Sequence, residues 1–234
     1  MSELKAKKPI IHFLCCHNDM KPFFVLKLLC ENNFFDNYDV VILSDADNGR
    51  VIDFCRENQI SFYLYDEYFT ASECDGKYEL LVSVGWNKII KNQVLERFNH
   101  SINCHGGYLP DYRGPSAYMA AYANIEECYG VTIHYMTEKI DDGKILKQAK
   151  LKLFLEETPQ IIHYRMCELT AMILPESIQM ALNNDVGFEQ KGEARYFYSM
   201  SREEMQNLRN SNIERLRERK ELVVAKHKKW QIEQ

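Results

Sequence analysis

The first half of the chain alternates between apolar segments typical of buried strands and segments whose apolar residues recur at helical spacing. The strand-type segments are residues 10–16, 39–44, 60–65, 80–85 and 101–104, and the helical ones are residues 21–31, 51–58 and 93–97. Strands that alternate with helices favour a parallel sheet covered by helices. We therefore predict an α/β fold with a Rossmann-like, doubly wound, mostly parallel sheet, in which ligands bind beyond the carboxyl ends of the strands.

The second half predicts fewer and longer elements. These are a helix over residues 116–123, strands over 130–136 and 145–154, and helices over 158–183 and 201–230. Thr158 and Pro159 are typical of a helix cap and first helical position, and Pro175 should kink or break that helix near its middle. Ser201 to Glu204 has the spacing of a capping box. We predict a catalytic domain over residues 1–184 and a C-terminal extension over 185–234, formed by a strand-like segment and then a helix.

Composition limits the classes of function. The 234 residues suffice for one α/β domain with a small appendage. A net charge of −5 disfavours nucleic acid as the main partner, although residues 209–229 are rich in Arg and Lys. The eight cysteines include no C-x-x-C pair, which disfavours a structural metal. No secretory signal and no apolar run of about 20 residues is present, so we expect a cytoplasmic protein that does not insert into a membrane.

Chemically useful side chains cluster at one predicted strand end. Asn103 and His105 are two residues apart, so in an extended segment both face the same side. The turn Gly106 to Pro110 follows, and an acidic turn with Asp141 and Asp142 lies further along the chain. An oxyanion donor, a proton carrier and a carboxylate together suit acyl transfer. The residues alone leave open a second interpretation, in which the pair satisfies backbone groups and the acidic residues form a plain turn.

Four short motifs in order strengthen the catalytic interpretation. They are Asn103-x-His105, Leu109 to Gly114 (Leu-Pro-x-Tyr-Arg-Gly), Gly130 to His134 (Gly-Val-Thr-x-His) and Asp141 to Gly143. Together they resemble the formyltransferases that use 10-formyltetrahydrofolate, over roughly residues 80 to 150. Several motifs in the right order are more specific than any one of them.

The resemblance implies roles for three catalytic residues. Asn103 would stabilise the oxyanion of the tetrahedral intermediate formed when an amine attacks the formyl carbon. His105 would take or relay the proton of the amine, and Asp141 would orient His105 and support its charged form. Asp142 would serve the turn. For His134 we favour a buried core histidine over a functional one.

The resemblance also implies a folate site, held largely by backbone groups of two segments, and no metal. The cofactor-binding candidates are Trp86, Asn87, Lys88, Ile89 and Ile90 in the first segment, and Thr137, Glu138, Lys139 and Ile140 in the second. Gly85 would let the ligand approach the backbone closely. Core packing of Trp86 and the isoleucines is the alternative.

Departures from the family pattern favour one acceptor class. The glycinamide ribonucleotide enzymes bind phosphate with a Gly-Ser-Gly loop after the first strand. In this chain the same place is occupied by Cys15 to Met20, which include no glycine. The C-terminal β-barrel of methionyl-tRNA formyltransferases does not fit the last fifty residues. The turn Tyr112 to Ser116 and the segment Tyr196 to Arg202 resemble the bacterial sugar-nucleotide N-formyltransferases, which act on nucleotide-linked amino dideoxy sugars such as dTDP-4-amino-4,6-dideoxyglucose for surface polysaccharide.

The sugar-nucleotide interpretation suggests three substrate-binding side chains. Arg113 would pair with the diphosphate, and Tyr118 or Tyr198 would stack on the sugar or base, unless the tyrosines serve packing. A methionyl-tRNA or glycinamide ribonucleotide enzyme, or a catalytically idle binding module, remains the alternative function. The last predicted helix carries Ile213, Leu216, Leu222 and Val223 near one face, and we expect a homodimer with residues after Glu189 at its interface.

Overall fold

Seven strands form one sheet in a computed structural model that describes residues 8–71 and 77–232. The strands are β1 (Ile10–Cys15), β2 (Asp39–Ser44), β3 (Ser61–Leu64), β4 (Tyr78–Ser83), β5 (Phe98–His105), β6 (Cys128–Tyr135) and β7 (Ile145–Lys152). The helices are α1 (Met20–Glu31), α2 (Arg50–Glu57), α3 (Tyr65–Ala71), α4 (Asn92–Leu95), α5 (Ala117–Ala123), α6 (Pro159–Leu182) and α7 (Arg202–Ile232). A 3₁₀ turn covers Phe34–Asn37.

The sheet is parallel in its first five strands and antiparallel at one edge. Its order is β3-β2-β1-β4-β5-β6-β7, and the pairs β5–β6 and β6–β7 are antiparallel. β1 pairs with β2 on one side and with β4 on the other, so the strand order reverses beside β1. Loops diverge at such a reversal and leave a crevice at the carboxyl ends of the strands. The predicted α/β fold is confirmed.

Both faces of the sheet are buried. Phe13 and Leu14 are adjacent in β1 and both have no exposed surface, but Phe13 belongs to a large core and Leu14 to a smaller one. Successive strand side chains point to opposite faces, so the two cores lie on the two sides of the sheet. Residues of α1, α5 and α6 contribute to the large core, and α3 and α4 cover the other face. This burial explains the continuous apolar runs of the sequence.

Of the two expected effects of Pro175, a break of the long helix does not occur, since α6 runs continuously from Pro159 to Leu182. Proline removes one helical hydrogen bond, but Leu174 and Ile178 on either side of it are fully buried in the large core. Tertiary packing therefore maintains the helix through the proline. Thr158 caps α6 as predicted, because its hydroxyl accepts the Ile161 N–H at 3.4 Å.

The C-terminal extension lies against the preceding domain. Isolated bridges join Ile145 to Phe188 and Arg113 to Tyr196, and no named strand forms there. α7 opens with the predicted capping box, in which Ser201 and Glu204 exchange side-chain to backbone hydrogen bonds of 2.8 and 3.1 Å. The division at residue 184 remains a prediction. Within the described residues, no helix is long and apolar enough to cross a membrane.

Candidate active site

Asn103 and His105 lie at the carboxyl end of β5, beside the crevice where the strand order reverses. The antiparallel register sets Asn103 opposite His134 of β6. Directly opposed residues of an antiparallel pair have neighbouring side chains, and here the Asn103 amide nitrogen is 3.3 Å from His134 Nε2. His134 therefore belongs to the same cluster as Asn103. Our preference for a plain core histidine at position 134 missed this role in the site's architecture.

Asp141 joins these residues from the loop between β6 and β7. Its Oδ2 atom lies 3.4 Å from His105 Nδ1, and its Oδ1 atom lies 3.4 Å from His134 Nε2. The Gly114 N–H donates to Oδ2 at 2.8 Å. The backbone of Asp141 is in the left-handed region, with φ of 52°, a conformation that costs energy in a residue other than glycine. These contacts hold the carboxylate in place despite that cost.

Hydrogen-bond partners assign the tautomer of His105. Its Nε2 atom is 2.6 Å from the Tyr112 carbonyl oxygen, which can only accept. In the neutral ring the hydrogen is therefore on Nε2, and Nδ1, which faces Asp141, is free to take a proton. Gly107 makes this contact possible, since a Cβ atom there would lie 2.3 Å from the same carbonyl oxygen and 2.6 Å from Nε2.

The electrostatics favour a neutral His105 beside an ionised Asp141. Burial lowers the pKa of His105 to about 4, against the opposing effect of the Asp141 charge. Burial by itself would raise the pKa of Asp141, but His105, His134 and the Gly114 N–H outweigh it and hold that pKa below its usual range. The site thus contains a base that is unprotonated at neutral pH, with an anion placed to stabilise its protonated form.

The amide of Asn103 is the third component. Besides facing His134, its nitrogen lies 3.5 Å from Asp141 Oδ1. Both contacts are at the long end of hydrogen bonding, so its hydrogens are weakly held and available to an oxygen atom of a ligand. The sequence-predicted catalytic residues Asn103, His105 and Asp141 are therefore adjacent, and their chemical roles remain a proposal.

Asp142 and Arg113 have structural partners. Arg113 is 6% exposed, and its guanidinium is 2.5 Å from Asp142 and donates to Tyr196 and Gln190 at 2.8 and 2.6 Å. A buried cation that already has an anionic partner is poorly placed to bind a diphosphate. We therefore withdraw Arg113 as a diphosphate ligand. Asp142 pairs with Arg113 and, at 4.0 Å, with Lys139, and does not contact the cluster around His105 in the described residues.

The two predicted folate-binding segments lie side by side. The Asn92 amide donates to Glu138, which links the start of α4 to the loop that contains Thr137 and Lys139. Ile89 and Ile140 are 85% and 58% exposed. Trp86 packs on Tyr65 with ring centroids 5.0 Å apart, and its Nε1 atom is buried without a hydrogen-bond partner among the described residues. Two apolar side chains and an unsatisfied donor fit a partly aromatic, partly polar ligand.

Other members of that segment have different positions. Asn87 and Lys88 are exposed, and the Lys88 ammonium lies 5.3 Å from the centre of the Trp86 ring, while Ile90 packs against the smaller core. Gly85 has φ of 65°, and a Cβ atom there would lie 2.7 Å from Pro22. The close approach that Gly85 permits is therefore that of Pro22, which corrects our expectation of a ligand at this position.

A cavity of about 830 Å³ opens beside α1, α5, α6 and the start of α7. Tyr118 lines it, with its ring 5.5 Å from that of His163. Tyr198 is 81% exposed and does not line the cavity, so we withdraw it as a substrate ligand. The catalytic cluster is not in the cavity wall. The full lining is Asp19, Met20, Phe24, Tyr118, Met119, Tyr122, Thr158, Pro159, Gln160, His163, Tyr164, Arg202, Met205 and Gln206.

Comparisons with known proteins identify the family of the chain. Residues 45–178, more than half of the chain, match the family model described as formyl transferase. A segment of 104 residues is 38% identical to the methionyl-tRNA formyltransferase of Methylacidiphilum infernorum, covering 44% of this chain and 32% of that protein. The chain spans less than half of the length of such curated relatives.

Solved structures share the fold at low sequence identity. The N-formyltransferase from Helicobacter canadensis, solved with folinic acid and dTDP-3-aminofucose, has a TM-score of 0.63 and 21% identity, covering 87% of this chain and 79% of that one. The phosphoribosylglycinamide formyltransferase from Anaplasma phagocytophilum has a TM-score of 0.66 and 18% identity, covering 83% of this chain and all of that one.

Proposed function

Because the chain belongs to the formyl transferase family, we propose that it transfers a formyl group from 10-formyltetrahydrofolate to the amine of a nucleotide-linked amino sugar. The observation that carries this proposal is the cluster at the carboxyl end of β5, where Asp141 lies 3.4 Å from His105 and 3.5 Å from the amide of Asn103. The cluster combines an oxyanion donor, a neutral base and an anion that stabilises the protonated base.

The geometry supports a separate task for each residue. His105 is neutral and accepts the proton of the attacking amine at Nδ1, the nitrogen that its bond to Tyr112 leaves unprotonated. Asp141, 3.4 Å away, stabilises the imidazolium that results. Asn103 donates an amide hydrogen to the formyl oxygen as negative charge develops on it. Removing such a donor costs on the order of 100- to 1000-fold in rate.

The formyl donor supplies the electrophilic carbon, and two loops of this chain hold it. We place it between residues 86–90 and 137–140, where Ile89 and Ile140 offer apolar surface and Trp86 Nε1 a free hydrogen-bond donor. The Asn92–Glu138 hydrogen bond keeps the two loops together. The folinic acid in the Helicobacter canadensis structure supports a folate as the donor.

The acceptor occupies the cavity beside α1. Tyr118 provides an aromatic surface, and Arg202 at the start of α7 is an exposed cation in the wall, which we propose as the diphosphate partner in place of Arg113. The N-terminus of α1 is capped by Asp19, whose carboxylate accepts the Lys21 N–H at 2.8 Å. The dTDP-3-aminofucose of the Helicobacter canadensis structure supports an amino sugar.

The proposed substrates suggest the cellular context. Nucleotide sugars and folates are cytoplasmic metabolites, so we propose that the chain acts in the cytoplasm, in the synthesis of surface polysaccharide. We also propose a homodimer with residues after Glu189 at its interface.

In the decisive experiment, the purified chain is incubated with 10-formyltetrahydrofolate and a panel of dTDP-, UDP- and GDP-linked amino sugars. We expect release of tetrahydrofolate with at least one amino sugar, and a product heavier by one formyl group in mass spectrometry. His105→Ala and Asn103→Ala should each lose at least about 100-fold in turnover while remaining folded. Turnover only with methionyl-tRNA or glycinamide ribonucleotide would contradict the acceptor class, and no turnover with any acceptor would favour an idle binding module.

A further inference from the structure

Lys21 is a buried cation that the proposed chemistry does not use. It lies in the first turn of α1 and is 8% exposed. Lysine is almost never buried without a partner, because an ammonium loses its hydration when it leaves water. Such a residue is expected to have a specific electrostatic or positional task.

The ammonium of Lys21 bonds to the strand that carries the catalytic residues. It donates to the carbonyl oxygen of Cys104, the residue between Asn103 and His105. The pairing of β5 with β4 ends at Asn103, opposite Ser83. Lys21 therefore holds the backbone at the point where the parallel ladder has stopped. In the part of the chain that the structure describes, no carboxylate lies within 4.0 Å of this ammonium, so its positive charge is not neutralised by a salt bridge.

We propose that Lys21 is a positioning residue, which holds the end of β5 in the geometry that Asn103 and His105 require and whose charge favours the unprotonated form of His105. The proposal rests on the proposed function for its kinetic consequences. Its structural part, the influence of Lys21 on His105, is independent of the substrate.

The charges around both residues support this task. Four groups act on His105, namely Asp141, His134, Lys21 and the Tyr112 carbonyl. Burial is the main cause of the lowered His105 pKa, Asp141 and the carbonyl oppose it, and the positive charge of Lys21 lowers the pKa further. Lys21 therefore acts in the same direction as burial and against the charge of Asp141.

The groups that face Lys21 itself come from three elements. They are Asp19 before α1, Cys104 in β5, and His163 and Cys167 in α6. Burial lowers the pKa of His163, the Lys21 charge lowers it further, and Asp19 raises it. Because His163 lines the cavity proposed for the acceptor, the Lys21 charge acts both on that cavity and on the catalytic strand end.

The test compares Lys21→Met with Lys27→Met in the full chain. Methionine keeps the length of the side chain and removes the charge and the donor, while Lys27 lies on the same helix with a half-exposed side chain, 3.8 Å from Glu31. Histidine NMR titration, with the His105 signal identified by its loss in His105→Gln, should show a higher His105 pKa in Lys21→Met than in the wild type. It should not change in Lys27→Met, and Lys21→Arg should restore it.

Activity gives a second readout. In Lys21→Met we expect kcat to fall about tenfold and the acidic limb of the kcat/KM profile to move to higher pH, with Lys21→Arg retaining more activity. Replacing a buried charge with an apolar side chain is often neutral or stabilising, so thermal stability should not fall in parallel. Should Lys21→Met not fold, Lys21→Gln removes the same charge and is subject to the same expectations.

An unchanged His105 pKa in a folded, charge-free variant overturns the proposal, and so does a fall in stability with kcat and the pH profile unchanged. If the wild-type chain has no transferase activity while the NMR shift occurs, the proposed function fails and the influence of Lys21 on His105 stands.

Discussion

Adjacent carboxylates in one loop have different partners, which separates their expected roles. Asp141 contacts His105, His134 and the Gly114 N–H, whereas Asp142 is 2.5 Å from the Arg113 guanidinium. Asn keeps the shape of Asp but removes its charge. The two substitutions therefore test which carboxylate supports the base and which one maintains the fold.

We expect Asp141→Asn to reduce kcat/KM by about 100-fold or more, because the imidazolium of His105 loses its counter-charge. Asp142→Asn should reduce activity much less but lower the melting temperature, because it leaves Arg113 buried without an anion. Steady-state kinetics and thermal unfolding of both variants measure the two effects. The reverse order of activity loss would move the catalytic carboxylate by one residue.

The buried residue His12 should make the stability of the core sensitive to acid. It is 1% exposed in β1, its Nε2 atom lies 2.8 Å from the Tyr68 hydroxyl, and burial lowers its pKa to about 4, opposed by the Leu80 backbone. The unfolded chain takes up this proton near pH 6.5 and the folded chain only near pH 4. The contribution of the neutral ring to the free energy of unfolding is therefore fully present above pH 6.5, and it is lost as the pH falls toward 4.

The magnitude of this loss is roughly 3 kcal/mol at pH 4. Urea unfolding between pH 7 and pH 4 should show a steeper decline of the free energy of unfolding for the wild type than for His12→Phe, which cannot take up a proton. Phenylalanine fits a site whose neighbours are the rings of Tyr68, Tyr78 and Phe98. Parallel declines in the two proteins would contradict the prediction.

Sequence reasoning predicted the side chains of this cluster but not the groups that hold them. Asn103, His105 and Asp141 occur in motifs whose order is informative. The Tyr112 carbonyl and the Gly114 N–H are backbone groups, which every residue has, so no residue type marks them. Gln190 donates to the Asp141 carbonyl at 2.9 Å from 49 residues away, and only the folded chain places it there.

At the scale of elements, hydrophobic periodicity predicted β1, β2 and α1 to within one residue at each end and found every strand of the sheet. It missed α3, which begins at Tyr65 directly after β3 ends at Leu64, with no turn residue between them. Aromatic residues are common in strands, so the pattern predicted that the strand continues to Tyr65 and gave no sign of a helix. The sequence also does not show that β6 and β7 run antiparallel, since that depends on their partners.

Pro175 gives a prediction about α6. Its packed neighbours keep the helix continuous, but the ring still removes the hydrogen bond to residue 171. Pro175→Ala should therefore raise the free energy of unfolding by about 1–3 kcal/mol. This gain is the difference in helix propensity between the two residues, reduced by the packing energy lost with the half-buried ring. Urea denaturation measures this, and kcat should stay at the wild-type value. A less stable variant would show that the proline ring itself is needed by the core.

At the scale of the whole molecule, α7 changes its environment along its length. Met205 and Arg209 are buried, and Arg209 donates to the carbonyl of Tyr122 and, at 2.8 Å, to that of Leu155. From residue 214 to 220 every side chain is exposed, and Leu216 is 50% exposed. The first turns of α7 are therefore anchored to their own domain. Ile213, another predicted member of its apolar face, is half-buried, whereas Leu222 and Val223 lie outside the side chains that the structure describes.

A second copy of the chain is the partner that we propose for the exposed part of α7, since two-fold dimers are the commonest soluble oligomers. Light scattering with size exclusion should give a dimer for the full chain and a monomer for Leu216→Glu, because burying an unpaired carboxylate in an apolar interface is costly. Met172→Glu, at a 68% exposed position of α6, is the matched control and should remain dimeric. A monomeric wild type, or a Leu216→Glu variant that dimerises as well as the control, would exclude this interface.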